Sequence, residues 1–317
     1  MRLLLWIVVI LSLGYGGFWF VASNALRNGA ETALTDLRAQ GLADYESLSV
    51  AGFPSRLDLT VTAPSATSPD GATRWQAPFL QLFALAYRPN QLIAVWPNEQ
   101  SVTTPVGTIA VKTDRMRASA TLGADTDLPL DHATVEIDGA KLTSETGWTA
   151  DIARALLASR QAGSSASHDV YADVLGIEVP GKVSGPATLR LDATVGFDRP
   201  IDRKAGVPKV TTVALREARV AIGPSALRLD GDLTVSDDGL PEGKLTLTAT
   251  EWRDVLKALV TLGLVAPQVA PTWENALSAA AGSSAEGSDL VIPLSVRRGV
   301  VSLGLLPLGF IPRLPGY

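Results

Sequence analysis

The residue types that transfer protons, attack as nucleophiles or bind metals are sparse and scattered in this chain. It has two histidines and no cysteine, so disulfides, thiol catalysis and thiolate metal sites are excluded together. His132 stands beside a strand-like segment, and His168 lies in a Ser/Ala/Gly-rich stretch at 161–169. Two imidazoles that share a metal or relay a proton must be brought to one helix face or to paired strands. Their spacing does not do this, and both are expected to be solvated surface residues. Asp125, Asp127 and Asp131 form the densest carboxylate group. It lacks the glycine and the terminal glutamate of a calcium loop, and Pro129 stands where a ligand would be expected. The group reads as a polar loop ahead of a strand. No G-x-S-x-G elbow, H-E-x-x-H helix, P-loop or dinucleotide-binding G-x-G-x-x-G occurs in the body. The chain is expected to be non-enzymatic, with no cofactor and no metal.

The remaining chemistry is that of apolar surface. Lys and Arg number 27 against 32 Asp and Glu, for a net charge of −5. With no basic cluster, this argues against nucleic acid or anionic headgroups as the main partner. Of the seven tryptophans, Trp252 and Trp273 fall on apolar helix faces, where core packing is expected, and Trp75 and Trp96 flank strands.

From Leu3 to Ala22 the only side chain more polar than Tyr or Trp is Ser12. A bilayer core asks about 20 such residues of a helix, so 1–22 is expected to be a transmembrane signal-anchor. Leu3, Trp6, Tyr15, Phe18 and Trp19 are its expected lipid-facing and interfacial residues. Val21-Ala22-Ser23 offers the alternative of a cleaved leader. Arg2 on the inner side, with the body exported, fits the positive-inside rule. A membrane-proximal helix is expected over 23–41, with Leu26, Ala30, Ala33, Leu34 and Leu37 on one stripe and Gly41 ending it.

After this the period changes to two. Leu57, Leu59 and Val61 alternate with charged and hydroxyl residues. So do Leu189 and Leu191, and likewise Leu245 and Leu247. Such alternation suits a sheet with one buried and one wet face, and these seven residues are the candidate apolar sheet face. Four Asp-Gly pairs, at 70, 138, 230 and 238, read as hairpin turns. Helices are expected over 149–159, 251–262 and 272–280, and mobile loops over 161–169 and 282–288. The fold expected is mainly β (α+β): an N-terminal transmembrane helix, then a large antiparallel, curved sheet with a few amphipathic helices packed on it. The body, 42–317, is expected to divide into two halves near 160–170.

Three segments carry a family resemblance: Ser49-Val50-Ala51-Gly52-Phe53-Pro54-Ser55-Arg56, Trp75 with Tyr87-Arg88-Pro89, and Gly299–Gly304 with Pro307-Leu308-Gly309 and Pro312. Together they resemble a bacterial family known as domain of unknown function 2125. The resemblance covers essentially the whole chain and implies a β-rich, single-pass inner-membrane protein whose body lies in the periplasm. A looser, architectural likeness is to AsmA-like envelope proteins, which are linked to lipid handling.

Two functions follow as expectations. One is binding of a lipid or other apolar ligand on the apolar face of a curved sheet. The other is a structural scaffold of the cell envelope, with a closed dry core and protein partners. Apolar area left without cover distinguishes them.

Overall fold

The computed structural model describes residues 2–182, 185–204, 206–263, 265–281 and 290–317. A long N-terminal helix, α1 (Arg2–Ala39), leads into a large antiparallel sheet of twenty strands. The first eleven are β1 (Ala43–Asp44), β2 (Ser47–Ala51), β3 (Arg56–Thr62), β4 (Ser65–Thr67), β5 (Arg74–Gln76), β6 (Phe79–Leu85), β7 (Arg88–Val95), β8 (Glu99–Thr104), β9 (Gly107–Lys112), β10 (Arg115–Leu122) and β11 (Leu130–Ser144). Next come β12 (Thr149–Ala162), β13 (Ser164–Glu178), β14 (Ala187–Phe197), β15 (Val210–Ile222), β16 (Ser225–Val235) and β17 (Pro241–Thr250). Two helices, α2 (Arg253–Thr261) and α3 (Ala270–Ala281), precede β18 (Leu290–Arg297), β19 (Val300–Leu303) and β20 (Leu306–Phe310). The chain forms two compact units: Met1–Thr121 with Ile137–Trp148, and Leu122–Glu136 with Thr149–Tyr317.

In the first unit β2, β3, β6, β7 and β10 pair in succession. The period of two works as the alternation requires. Leu57, Leu59 and Val61 turn inward from β3, opposite Ala84, Leu82 and Leu80 of β6. What covers them is α1. Leu26, Ala30 and Leu34 pack on Leu48, Leu59 and Val61, and Trp19, Ala22 and Leu26 pack on Leu57, Ala84 and Ala86. The segments expected as anchor and membrane-proximal helix form one helix, α1, that runs unbroken from Arg2 to Ala39. The buried Ser23 does not interrupt it, because its hydroxyl donates to the Phe20 carbonyl at 3.0 Å. Gly41, at φ +73°, ends the helix as expected.

In the second unit every strand from β12 to β20 pairs with the next. Several expectations are corrected here. Residues 149–159 are strand and not helix, because β12 is in register with β13 along nearly its whole length. That pairing overrides the helix propensity of its Ala, Leu and Arg residues. Residues 161–169 are the tight turn of the same hairpin and the start of β13, so they are no mobile loop. The units accordingly meet the chain at 121/122, 136/137 and 148/149, and 160–170 lies inside one hairpin. Asp70-Gly71 and Asp238-Gly239 are turns, whereas Asp138-Gly139 and Asp230-Gly231 lie within β11 and β16. Gly231 sits at φ +139°, where a Cβ would fall 2.3 Å from the Lys244 carbonyl. It serves a close approach of two strands. The helices expected over 251–262 and 272–280 are α2 and α3. Leu277 of α3 is buried, while the side chains of Ala276 and Ala280 and the loop 282–288 lie outside the described residues.

Candidate functional site

The register of the second unit lines up apolar residues into rows across the strands. Leu191, Ala218, Leu229, Leu247 and Ile292 face one another in turn from β14 to β18. Beside them run Leu189, Val220, Leu227, Ala249 and Leu290. The opposite face is polar. There Arg216 Nε donates to Asp192 Oδ1 at 2.9 Å, and Arg190 Nε to Asp173 Oδ1 at 3.2 Å. A long sheet with one apolar face needs cover for that face.

The cover is partial. Helices α2 and α3 seal the rows at β17 and β18, where Leu247 is 2% exposed and Ala249, Leu290 and Ile292 are buried with Leu256 and Leu277. Helix α2 reaches on across β16 and β15, where Val255 and Ala258 bury Ile222 and Ala187 at one end of β14; two residues along, the rows emerge and Leu189 is 39% exposed. At this transition lies a cavity of about 350 Å³. Its floor is Leu189, Leu191, Val220 and Leu229, and its roof is Leu256, Leu259, Val265 and Trp273. Trp273 presents only its ring, because its Nε1 already donates to the Leu308 carbonyl at 3.0 Å. Arg190 and Arg219, which pair across β14 and β15, border the trough between the inward residues, while by strand alternation their side chains belong to the opposite, polar face, where Arg190 bonds Asp173. A volume of this size falls within the range of small-molecule sites, roughly 300–1,000 Å³. Walls with so few polar groups suit a hydrocarbon and offer nothing for a headgroup to bond. A second cavity, on the other flank of α2, is lined by Arg253, Asp254, Lys257 and Glu274 among others, and is mixed in charge.

The seven candidate face residues therefore separate. Leu189 and Leu191 line the trough, and Leu247 reaches its inner end. Leu245 is buried beneath the α2–α3 segment, and Leu57, Leu59 and Val61 are buried beneath α1. Those four belong to closed cores and not to an open face. Of the anchor residues, Trp6, Tyr15 and Phe18 are exposed on α1, as lipid contact requires. The side chain of Leu3 lies outside the described residues. Trp19 corrects the expectation: it is 6% exposed and packs on the body, not outward.

The groups weighed for chemistry stay apart. Among the described residues no cluster of three or more His, Asp or Glu is placed to hold a metal. Asp125 accepts from the backbone N–H of Asp127 and of Leu128, so it shapes its own turn. His132 is exposed, with Nδ1 3.0 Å from Asp131 Oδ2. His168 is a second correction: it is fully buried on β13, on the apolar side of the sheet, with Phe197 edge-on to its ring. Its Nδ1 lies 3.1 Å from the Ser159 hydroxyl, and its Nε2 has no hydrogen-bond partner. Burial pushes its pKa down from 6.5, and the Asp131 carboxylate opposes this. A serine–histidine pair at this distance has the reach of a nucleophile and its base. Here the imidazole is sealed from solvent, and both cavities are lined by other residues. The alternation of His168, Val170, Ala172 and Val174 was the sequence signal for its inward direction. The roof of the trough had no such signal, because Val265 and Trp273 meet Leu189 only through the fold.

No curated protein and no solved structure matches this chain. A family model described as an uncharacterized protein conserved in bacteria (DUF2125) matches residues 19–312, and the chain belongs to that family.

Proposed function

We propose that this is a non-enzymatic envelope protein, anchored by α1 in the bacterial inner membrane with its body in the periplasm. In this reading it holds a lipid acyl chain or similar apolar ligand in the trough of the second unit. The observation that carries it is the emergence of the Leu189 and Leu191 rows from beneath α2 and α3 beside a cavity of about 350 Å³. Water against that surface is unfavourable, and each CH₂ that replaces it contributes roughly 0.8 kcal/mol. Recognition then rests on chain length and shape. The scarcity of polar groups predicts tolerance of different headgroups.

The second reading, an envelope scaffold with protein partners, is favoured by the closure of Leu57, Leu59, Val61 and Leu245 beneath the protein's own helices. Native mass spectrometry of the full-length protein released from detergent micelles separates the two. A retained lipid that is lost in Leu189→Glu supports ligand binding. A lipid-free protein that captures a second polypeptide supports the scaffold.

A further inference from the structure

The turn of α1 that docks on the first unit is ringed by exposed aromatic side chains. The Phe53 ring stands edge-on to Trp19, with centroids 5.4 Å apart, and lies 6.4 Å from the ring of Phe20. Its Cε2 reaches within 3.9 Å of where a Cβ on Gly16 would stand. Phe53 therefore extends along α1 past Trp19, nearly a turn closer to the N-terminus. Although it touches the helix, Phe53 is 58% exposed. Its neighbour across the sheet is the two-residue turn Ala86-Tyr87, held by the Ala86 N–H donating to the Ser55 carbonyl at 2.9 Å. Ala86 is buried beneath Trp19, and Tyr87 is 64% exposed. The family-like segment 49–56 and Ala86, the residue just before the family-like 87–89, thus meet at Trp19.

Helix length decides what this place faces. Residues 2–18 rise only ~25 Å at about 1.5 Å per residue, against a hydrocarbon core of about 30 Å. If α1 crosses a bilayer, all of that segment is used, and the docked end has no length left to stand away from the surface. Phe53, level with Gly16, then falls inside the boundary between acyl chains and headgroups, where aromatic side chains are favoured.

We propose that the β2–β3 and β6–β7 turns form a membrane seat: Phe53 enters the bilayer beside α1 and Tyr87 rests at headgroup level. The first unit is held against the lipid surface and not on a flexible stalk. The seat also requires that α1 be retained, because cleavage before Asn24 would remove Trp19 and uncover Leu57, Ala84 and Ala86. This inference rests on the proposed anchoring of α1, and stands whether or not the trough of the second unit takes a ligand.

The absence of cysteine makes the test direct. Phe53→Cys, Tyr87→Cys, Leu11→Cys and Ala72→Cys each create one labelling site in the full-length chain. Ala72 follows Thr67, whose N–H bonds the Leu42 carbonyl beyond the far end of α1. Each variant is labelled with an environment-sensitive fluorophore and reconstituted in phosphatidylethanolamine/phosphatidylglycerol vesicles that carry a shallow nitroxide lipid. Circular dichroism confirms that each is folded. The seat predicts quenching at 53 and 87 several-fold stronger than at 72, with blue-shifted emission, while 11 reports the membrane interior. Quenching at 53 and 87 equal to that at 72 overturns the proposal. So does a water-exposed label at 11, or a cellular protein whose intact mass begins at Asn24.

Discussion

Trp19 Nε1 donates a hydrogen bond to the backbone carbonyl of Arg56 at 2.7 Å, fastening the apolar helix α1 to the first residue of β3. The indole also fills the space over Leu57, Ala84 and Ala86. A residue whose type suits a bilayer interface is instead the bolt between helix and body. Trp19→Ala removes both the buried ring and the bond, and is expected to cost about 3–5 kcal/mol. Trp19→Phe keeps most of the packing and should lose about 1 kcal/mol. Hydrogen exchange along β3 in the full-length protein, with denaturant unfolding, checks the order of the two.

The trough makes opposite predictions for two leucines on the same face. Leu189→Glu puts a carboxylate at the open end, where water can solvate it, so the fold should lose no more than about 1 kcal/mol while ligand retention is abolished. Leu247→Glu puts the charge where the side chain is 2% exposed, and should cost about 4 kcal/mol or more. Thermal unfolding beside native mass spectrometry distinguishes them. Lipid retained by a folded Leu189→Glu would sink the assignment of the trough.

His168 should make stability depend on pH. Burial lowers its folded pKa below the unfolded value of 6.5, so below pH 6.5 the unfolded chain binds a proton that the folded chain refuses. The contribution is complete above pH 6.5 and is lost as pH falls toward the folded pKa, with a slope of at most about 1.4 kcal/mol per pH unit. Unfolding midpoints measured from pH 7.5 to 5 should decline in the wild type and flatten in His168→Gln. Asp169 does not confound this window. The hydroxyl of Thr194 first, and then Arg160 and Arg216, hold its carboxyl below 3.8, and its stabilisation is lost only as pH falls below that.

Gly231 tests the reading of β16. With φ at +139° and a Cβ position 2.3 Å from the Lys244 carbonyl, Gly231→Ala must both strain its backbone and push two strands apart. A loss of about 2 kcal/mol or more is expected. Gly71→Ala, in a true turn with open space around it, should cost about 1 kcal/mol. Equal losses in chemical denaturation would show that the β16–β17 approach is looser than described.

Much of the site was legible before folding was considered, and the reason is local. Alternation at Leu189 and Leu191 or at Leu245 and Leu247 reports which residues share a face, because a strand repeats every two residues whatever its neighbours do. The spacing of Trp252, Val255, Leu256 and Leu259 reports α2 on the same ground. The misreadings came where pairing outweighed local preference. Residues 149–159 have helix-forming composition and became strand because β13 lies in register beside them. His168 sits in a stretch of small polar residues that resembles a loop, yet it is the start of a paired strand that turns the ring inward.

The sequence by itself determined that the chain begins with one long apolar helix, that its body is antiparallel sheet with one apolar face, and that no motif for catalysis is present. These follow from length, period and residue type. Only the tertiary structure decided which part of the apolar face is covered. Alternation states that a face must be hidden from water but not what hides it. The packing of α1 on β3, of α2 across β15 and β16 and of α3 on β18 closes most of that surface, and the register that carries the rows on to Leu189 and Leu191 of β14 leaves the trough open.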